Sequence, residues 1–138
     1  MDVQVNLWAV IAAMVSSLVV GSIWYARPVF GNIWIKLAKV NMSKNSSAFM
    51  PIIVTMIVSL ITAYVLAHVT FLSHHFFHNS FLQDALTTAF WMWLGFTAAR
   101  IITHDAFEGR PAKLTLLTLG NEFVTIMLMG LVIGLIGL

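Results

Sequence analysis

Three side chains that can transfer protons lie close together at His104, Asp105 and Glu108. On a helix, His104 and Glu108 would share a face and could cooperate in acid–base catalysis or hold a divalent ion. In the alternative interpretation, Glu108 pairs with Arg110 or Lys113, and Asp105 caps a turn. Because no nucleophile lies nearby in the sequence, we favour the structural interpretation and assign no catalytic residue.

Glu122 lies in a long apolar segment, about 12 Å along a helix axis from Leu114 at about 1.5 Å per residue. An ionised carboxylate at this depth is costly and is usually paired or functional. The same side of the helix holds three threonines, Thr115, Thr118 and Thr125. Three interpretations stay open: an ion pair with Arg100, a proton- or cation-binding site, and a carboxylate that reaches back to the membrane surface.

Histidines cluster between the second and third apolar segments, at His74, His75 and His78. His74 and His78 are four residues apart and Asp84 is near, so a metal site is conceivable. A complete site needs more ligands, and we expect the connection to be a turn. Polar residues at the membrane surface are therefore the favoured interpretation. His68 lacks a clear second axial ligand for haem, and we predict no cofactor.

Four apolar segments must position these groups, over residues 5–25, 49–71, 81–102 and 114–138. The chain is 60% hydrophobic and 9% charged, and each segment has about the 20 residues needed to cross a bilayer. None alternates polar and apolar residues as a membrane barrel requires. The sequence predicts an all-α integral membrane protein, with residues 1–138 forming one four-helix transmembrane domain. The expected partner is lipid, and nucleic acid is not expected.

A short amphipathic helix is predicted at the membrane surface over residues 28–40, after the first span. Its apolar residues follow helical spacing, at Phe30, Ile33, Trp34 and Leu37. Lys36 and Lys39 point elsewhere, where they can meet anionic headgroups. Gly31 weakens such a helix, so a loop is the alternative.

All seven Lys and Arg residues fall in two windows, residues 27–44 and 100–113. By the positive-inside rule both windows are cytoplasmic, which places both termini outside the cytoplasm. We expect a multi-pass protein of the inner (plasma) membrane. The first apolar segment lacks a basic start and is expected to remain as a helix. The absence of cysteine excludes dithiol redox chemistry.

Small residues line one side of the first and last spans. They are Ala9, Ala13, Ser17 and Gly21 in the first span, and Gly130 and Gly134 in the last. Such stripes let helix backbones approach closely in lipid. They predict either packing within one bundle or a subunit interface, and we expect a homo-oligomer.

Two sequence motifs resemble the bacterial and fungal membrane family called domain of unknown function 1761. The first motif is Trp24-Tyr25, Phe30-Gly31 and Trp34, and the second runs from His104 to Pro111 through Asp105, Phe107, Glu108, Gly109 and Arg110. The family tends to place Ser-Pro directly after Trp-Tyr, whereas Ala26-Arg27 intervene here. The resemblance implies a small four-helix membrane protein and no particular activity.

Both motifs lie on the same side of the membrane in the predicted topology. We therefore expect a polar cap in which Arg27 and Arg110 meet Asp105 and Glu108 around Trp24 and Trp34. The leading functional hypothesis is a structural or small-solute and ion permeation role. The alternative is a membrane-embedded enzyme or metal-binding protein that uses His104, Asp105 and Glu108.

Overall fold

The computed structural model describes residues 3–39 and 49–138, and every regular element in these ranges is helical. The elements are α1 (Leu7–Trp24), a π-helical turn (Arg27–Gly31), α2 (Asn32–Ala38), α3 (Phe49–Phe77), α4 (Phe81–Met92), a second π-helical segment (Trp93–Ala98), α5 (Ala99–Glu108) and α6 (Ala112–Ile136). The short surface helix is thus present as the first π-helical turn plus α2. Residues 40–48, which include Lys44 of the first basic window, lie outside the described residues.

Four helical stretches are long and apolar enough to cross a membrane: α1, α3, α6, and the continuous stretch Phe81–Glu108 that joins α4, the second π-helical segment and α5. Their outward side chains are large and apolar, as lipid contact requires, and include Ile57, Phe76 and Phe96. The prediction of an all-α membrane protein with four spanning helices is confirmed.

Two predicted helix ends are wrong. The second span continues beyond residue 71 to Phe77, so His74 and His75 are helical and do not lie in a turn. The third span continues beyond residue 102 to Glu108. It stops because Gly109 adopts a φ of 64°, and the Arg110 N–H then donates to the Asp105 carbonyl at 2.9 Å, which closes the last turn.

The four spans form an antiparallel bundle. α6 packs on both α1 and α4, and α3 also packs on both α1 and α4. We call the end where α1 and α5 finish and α3 and α6 begin the basic end, because the Lys and Arg residues of the described chain lie towards it. The opposite end, with His74, His75 and His78, is the histidine end.

Small side chains close the bundle in the half nearer the histidine end. Ala13 and Ala63 are fully buried in its core. A Cβ added at Gly130 would lie 2.9 Å from the Ala89 Cβ, and one at Gly134 would lie 2.7 Å from the Leu82 Cδ1. The predicted small-residue stripes therefore pack helices together inside one bundle.

The half nearer the basic end is more open. Within α3, which the structure describes in full, the first buried residue is Ser59. A Cβ at Gly21 would meet nothing within 4 Å, so this member of the predicted stripe makes no close helix contact. The first ten residues of α3 thus stand away from the rest of the bundle, and a cavity lies between them and α1 and α6.

Candidate solute-binding cavity

The cavity in the half nearer the basic end has a volume of about 690 Å³. Its walls come from α1, α3 and α6, with Thr97 contributed by the second π-helical segment. Tyr25 and Pro51 line it towards the basic end, and Met129 lines it towards the centre of the bundle. Three membrane-spanning helices therefore surround one space that reaches into the apolar layer.

Glu122 of α6 lines this cavity together with Asn121 and Thr125. Asn121 is only 7% exposed, and its Nδ2 has no hydrogen-bond partner among the described residues. A buried donor without a partner costs roughly 1–3 kcal/mol. Glu122 thus lines the cavity with its carboxyl group, whereas the unsatisfied Asn121 Nδ2 is itself enclosed by protein atoms.

Arg100 does not pair with Glu122. The ion pairs found within residues 3–39 and 49–138 do not include these two side chains, and Arg100 is exposed and absent from the cavity wall. Thr118 is also outside the wall, and its hydroxyl donates to the Leu114 carbonyl at 3.1 Å. The polar stripe predicted on α6 is therefore divided between Thr125, which faces the cavity, and Thr118, which does not.

Hydroxyl groups on α1 and α3 give the cavity the character of a hydrogen-bond acceptor. Four of them donate their protons to backbone carbonyls of their own helix: Ser17 to Met14 at 2.7 Å, Ser22 to Leu18 at 2.7 Å, Thr55 to Pro51 at 2.8 Å and Thr62 to Val58 at 2.9 Å. A hydroxyl whose proton is used in this way offers only oxygen lone pairs to a neighbour. The cavity wall is therefore rich in acceptors.

Tyr25 stands at the basic end of the cavity and is held there by the first motif. Its ring meets Trp34 edge-on with centroids 5.4 Å apart, and Trp24 packs on Phe30 at 4.6 Å. A Cβ at Gly31 would overlap the Tyr25 carbonyl oxygen, so the chain needs glycine there. Burial raises the pKa of the Tyr25 phenol, and the charge of Glu122 raises this pKa further.

The second motif joins α5 to α6. The Thr115 hydroxyl donates to the buried Asp105 Oδ2 at 2.7 Å, and Arg110 Nε lies 2.7 Å from Glu108 Oε2 and 3.7 Å from Asp105 Oδ1. His104 is exposed. Glu108 thus pairs with Arg110, as the structural interpretation holds, while Asp105 bonds across the connection. Phe107 is 90% exposed and lies outside this network.

The polar cap predicted from the two motifs does not form. Arg27 is exposed and is in none of the ion pairs found in the described ranges. α2 contacts α6 but does not contact α5. The expectation is wrong because each motif packs separately against α6, and only Arg110 meets Asp105 and Glu108.

Of the clustered histidines, His74 joins α3 to α4. His74 Nδ1 lies 3.0 Å from Asp84 Oδ2, and Asn79 Nδ2 donates to Asp84 Oδ1 at 3.1 Å. His78 lies beyond the end of α3 with a φ of 56°, so it does not continue the helix face of His74. Within the described ranges no group of three potential metal ligands is found. The described residues therefore add no support for a metal site at these histidines.

Four apolar spans and a polar cavity among them define a multi-pass helical membrane protein. The family model described as "Protein of unknown function (DUF1761)" matches residues 8–134. The chain belongs to this family, as the resemblance implied. No curated protein and no solved structure matches the chain.

Sequence reasoning found Glu122 and Thr125 but missed the other polar groups of the cavity. Asn121 is adjacent to Glu122 and was a detectable sign of a polar wall. Thr97 could not be assigned, because the π-helical segment around it breaks the regular spacing on which a helical-face argument depends. The α3 hydroxyls were not identified, because the sequence of this helix is predominantly apolar.

Proposed function

We propose that this protein binds a small solute inside the membrane, in the cavity around Glu122, as one step of solute permeation. The observation that supports this most directly is the Glu122 carboxyl group in the wall of a large cavity whose described lining residues include no Lys, Arg or His. Helix packing alone does not require a carboxyl group there. A bound solute gives it a partner.

The size and lining of the cavity support an organic solute. Protein cavities that bind small molecules measure roughly 300–1,000 Å³ and combine apolar walls with a few polar groups. At about 690 Å³, this cavity lies within that range and is far larger than a bare ion needs. Its aliphatic residues include Val54, Ile126 and Met129.

Towards the histidine end, the cavity meets the core around Ala63, Leu66 and Ile133, all of them at most 1% exposed. This closed core favours a binding step over a continuously open pore. Passage through the bundle then requires the core to separate. Under the positive-inside rule, the basic end faces the cytoplasm, and we propose the inner membrane as the location.

The competing enzyme hypothesis has less support. Of its three residues, Asp105 is bonded to Thr115, and Glu108 is paired with Arg110. These contacts hold α5 against α6 and leave His104 without an acidic partner among the described residues. We do not extend the proposal to a homo-oligomer, since Gly130 and Gly134 are used within the bundle.

The absence of cysteine makes the cavity directly testable. Thr125→Cys places a thiol in the cavity wall, and Val124→Cys places one at nearly the same depth, 38% exposed and outside that wall. In lipid nanodiscs, we expect a water-soluble, membrane-impermeant methanethiosulfonate to label Thr125→Cys about tenfold faster or more, because a thiol in lipid is shielded from such a reagent.

Equal and slow labelling of both variants would contradict a solvent-accessible cavity, and with it the proposed function. Orientation has a separate test. Reporter fusions at Ala112 are expected to report cytoplasm and fusions at His78 the opposite side. The reverse pattern would overturn the orientation but leave solute binding intact.

A further inference from the structure

We infer that the solute is an amphiphilic organic cation: an ammonium group attached to an apolar body. The inference rests on the proposed function, because it names the class of molecule for the same cavity. Three properties of the wall lead to it independently: hydrogen-bond polarity, charge and the distribution of aliphatic and aromatic side chains.

The hydrogen-bond polarity of four serine and threonine hydroxyls disfavours anions. Four hydroxyls of the wall donate hydrogen bonds to carbonyls of their own helices, so their oxygens can only accept a hydrogen bond from a solute. They belong to Ser17, Ser22, Thr55 and Thr62. Together with the Glu122 carboxylate they form an acceptor surface contributed by α1, α3 and α6. A carboxylate or phosphate solute would place its oxygens against this surface without donors. An ammonium group supplies donors or positive charge.

The charge of the wall is not balanced by the protein. The described residues that line the cavity include Glu122 but no Lys, Arg or His. A carboxylate enclosed in an apolar layer without a counter-charge is costly. A cationic solute provides the missing charge. This explains why Glu122 can lie in the cavity while Arg100 remains outside.

The apolar part of the wall accepts the body of the solute. Six apolar side chains of the wall come from all three helices: Leu18 of α1, Ile52, Val54 and Val58 of α3, and Ile126 and Met129 of α6. The Tyr25 ring lines the same cavity, and aromatic faces attract organic cations by roughly 0.5–2 kcal/mol. A small inorganic cation would leave these contacts unused.

The experiment uses three probes with one skeleton and different charges: 4-phenylbutylamine, 4-phenylbutanol and 4-phenylbutyrate. Each is tested for protection of the Thr125→Cys thiol against the methanethiosulfonate in nanodiscs. We expect the amine to slow labelling about tenfold at a concentration where the alcohol and the carboxylate have little effect, a difference of roughly 1.4 kcal/mol.

Glu122→Gln in the same cysteine background is expected to abolish the preference for the amine. Glu108→Gln is the matched control, because Glu108 is exposed at the membrane surface and outside the cavity wall. It should leave the preference unchanged.

The outcomes separate the two claims. Equal protection by all three probes, or protection that survives Glu122→Gln, overturns the cation inference and leaves solute binding standing. Rapid labelling of Thr125→Cys with no protection by any probe also overturns the inference. If Thr125→Cys is labelled no faster than Val124→Cys, the cavity itself is refuted and both claims fail.

Discussion

The two halves of this bundle have opposite packing. Towards the histidine end, alanine and glycine bring the helices into contact, as at Ala85 and Gly130. Towards the basic end, α3 presents branched and polar side chains such as Thr55 and Val58, and none of its residues before Ser59 is buried. An apolar side chain gains little free energy by moving from lipid into a contact between helices. Close helix contact in a membrane therefore depends on small residues. The difference between closed and open halves therefore follows from side-chain size.

Buried polar groups occur in both halves. Asp84 is 2% exposed in the closed half, and His74 and Asn79 contact one carboxylate oxygen each. The Asn121 Nδ2 in the open half is buried without a partner in the described ranges, and so is the Thr70 Oγ1 in the closed half. The two halves therefore differ in helix packing and not in whether their buried polar atoms are satisfied.

The largest effect is expected when the closed half is overpacked. Gly130→Leu forces a side chain into the Ala85 backbone, 3.1 Å from the position of its Cβ, and should destabilise the bundle by about 3 kcal/mol. Gly95→Leu is the control, since a Cβ there meets nothing within 4 Å. Unfolding by denaturing detergent, followed by circular dichroism, measures both. Equal stability of the two variants would contradict the close packing described.

Removal of the Asp84 carboxylate should have the next largest effect. Asp84→Ala leaves Asn79 and His74 without their shared acceptor and should cost roughly 2 kcal/mol. Gln83→Ala changes an exposed neighbour and is expected to be nearly neutral. The same unfolding assay compares them. A loss below about 0.5 kcal/mol in Asp84→Ala would mean that the contact between α3 and α4 does not depend on this network.

A leucine in the open half should be tolerated. Gly21→Leu adds a side chain that meets no atom within 4 Å of its Cβ, so we expect stability to change by less than about 0.5 kcal/mol. Its side chain enters the cavity, and labelling of Thr125→Cys should slow. Destabilisation comparable to that of Gly130→Leu would show that the two halves are packed alike.

The smallest effect is expected at Tyr25. The chain has two tyrosines, so in a Tyr64→Phe background only Tyr25 titrates. Burial and the Glu122 charge both disfavour the tyrosinate, and the pKa of Tyr25 lies above its ordinary value. Glu122→Gln removes the second cause and should lower this pKa, as measured by absorbance near 295 nm. An unchanged pKa would mean that Glu122 lies too far from Tyr25 to affect the ionisation of its phenol.

Local pattern was sufficient for the spans, for the surface helix around Trp34 and for Glu122, because each depends on residues a few positions apart. It was insufficient for Arg100 and for Arg27, whose expected partners lie on other helices. The sequence shows that these charges face the same end of a bundle, but side-chain distance depends on helix rotation and tilt. Those are set by contacts such as Gly130 with Ala89, which the sequence does not pair.

The π-helical segment Trp93–Ala98 has a consequence for the rotational phase of the third span. In an uninterrupted α-helix, Ala89 and Asp105 would point about 160° apart at 100° per residue. One extra residue in a π-helical turn takes up about 100° of that angle and leaves them about 60° apart. Both residues are buried. The irregular turn thus lets one span keep a single inward face over its whole length, so that the contact made by Ala89 and the hydrogen bond made by Asp105 are both directed at α6.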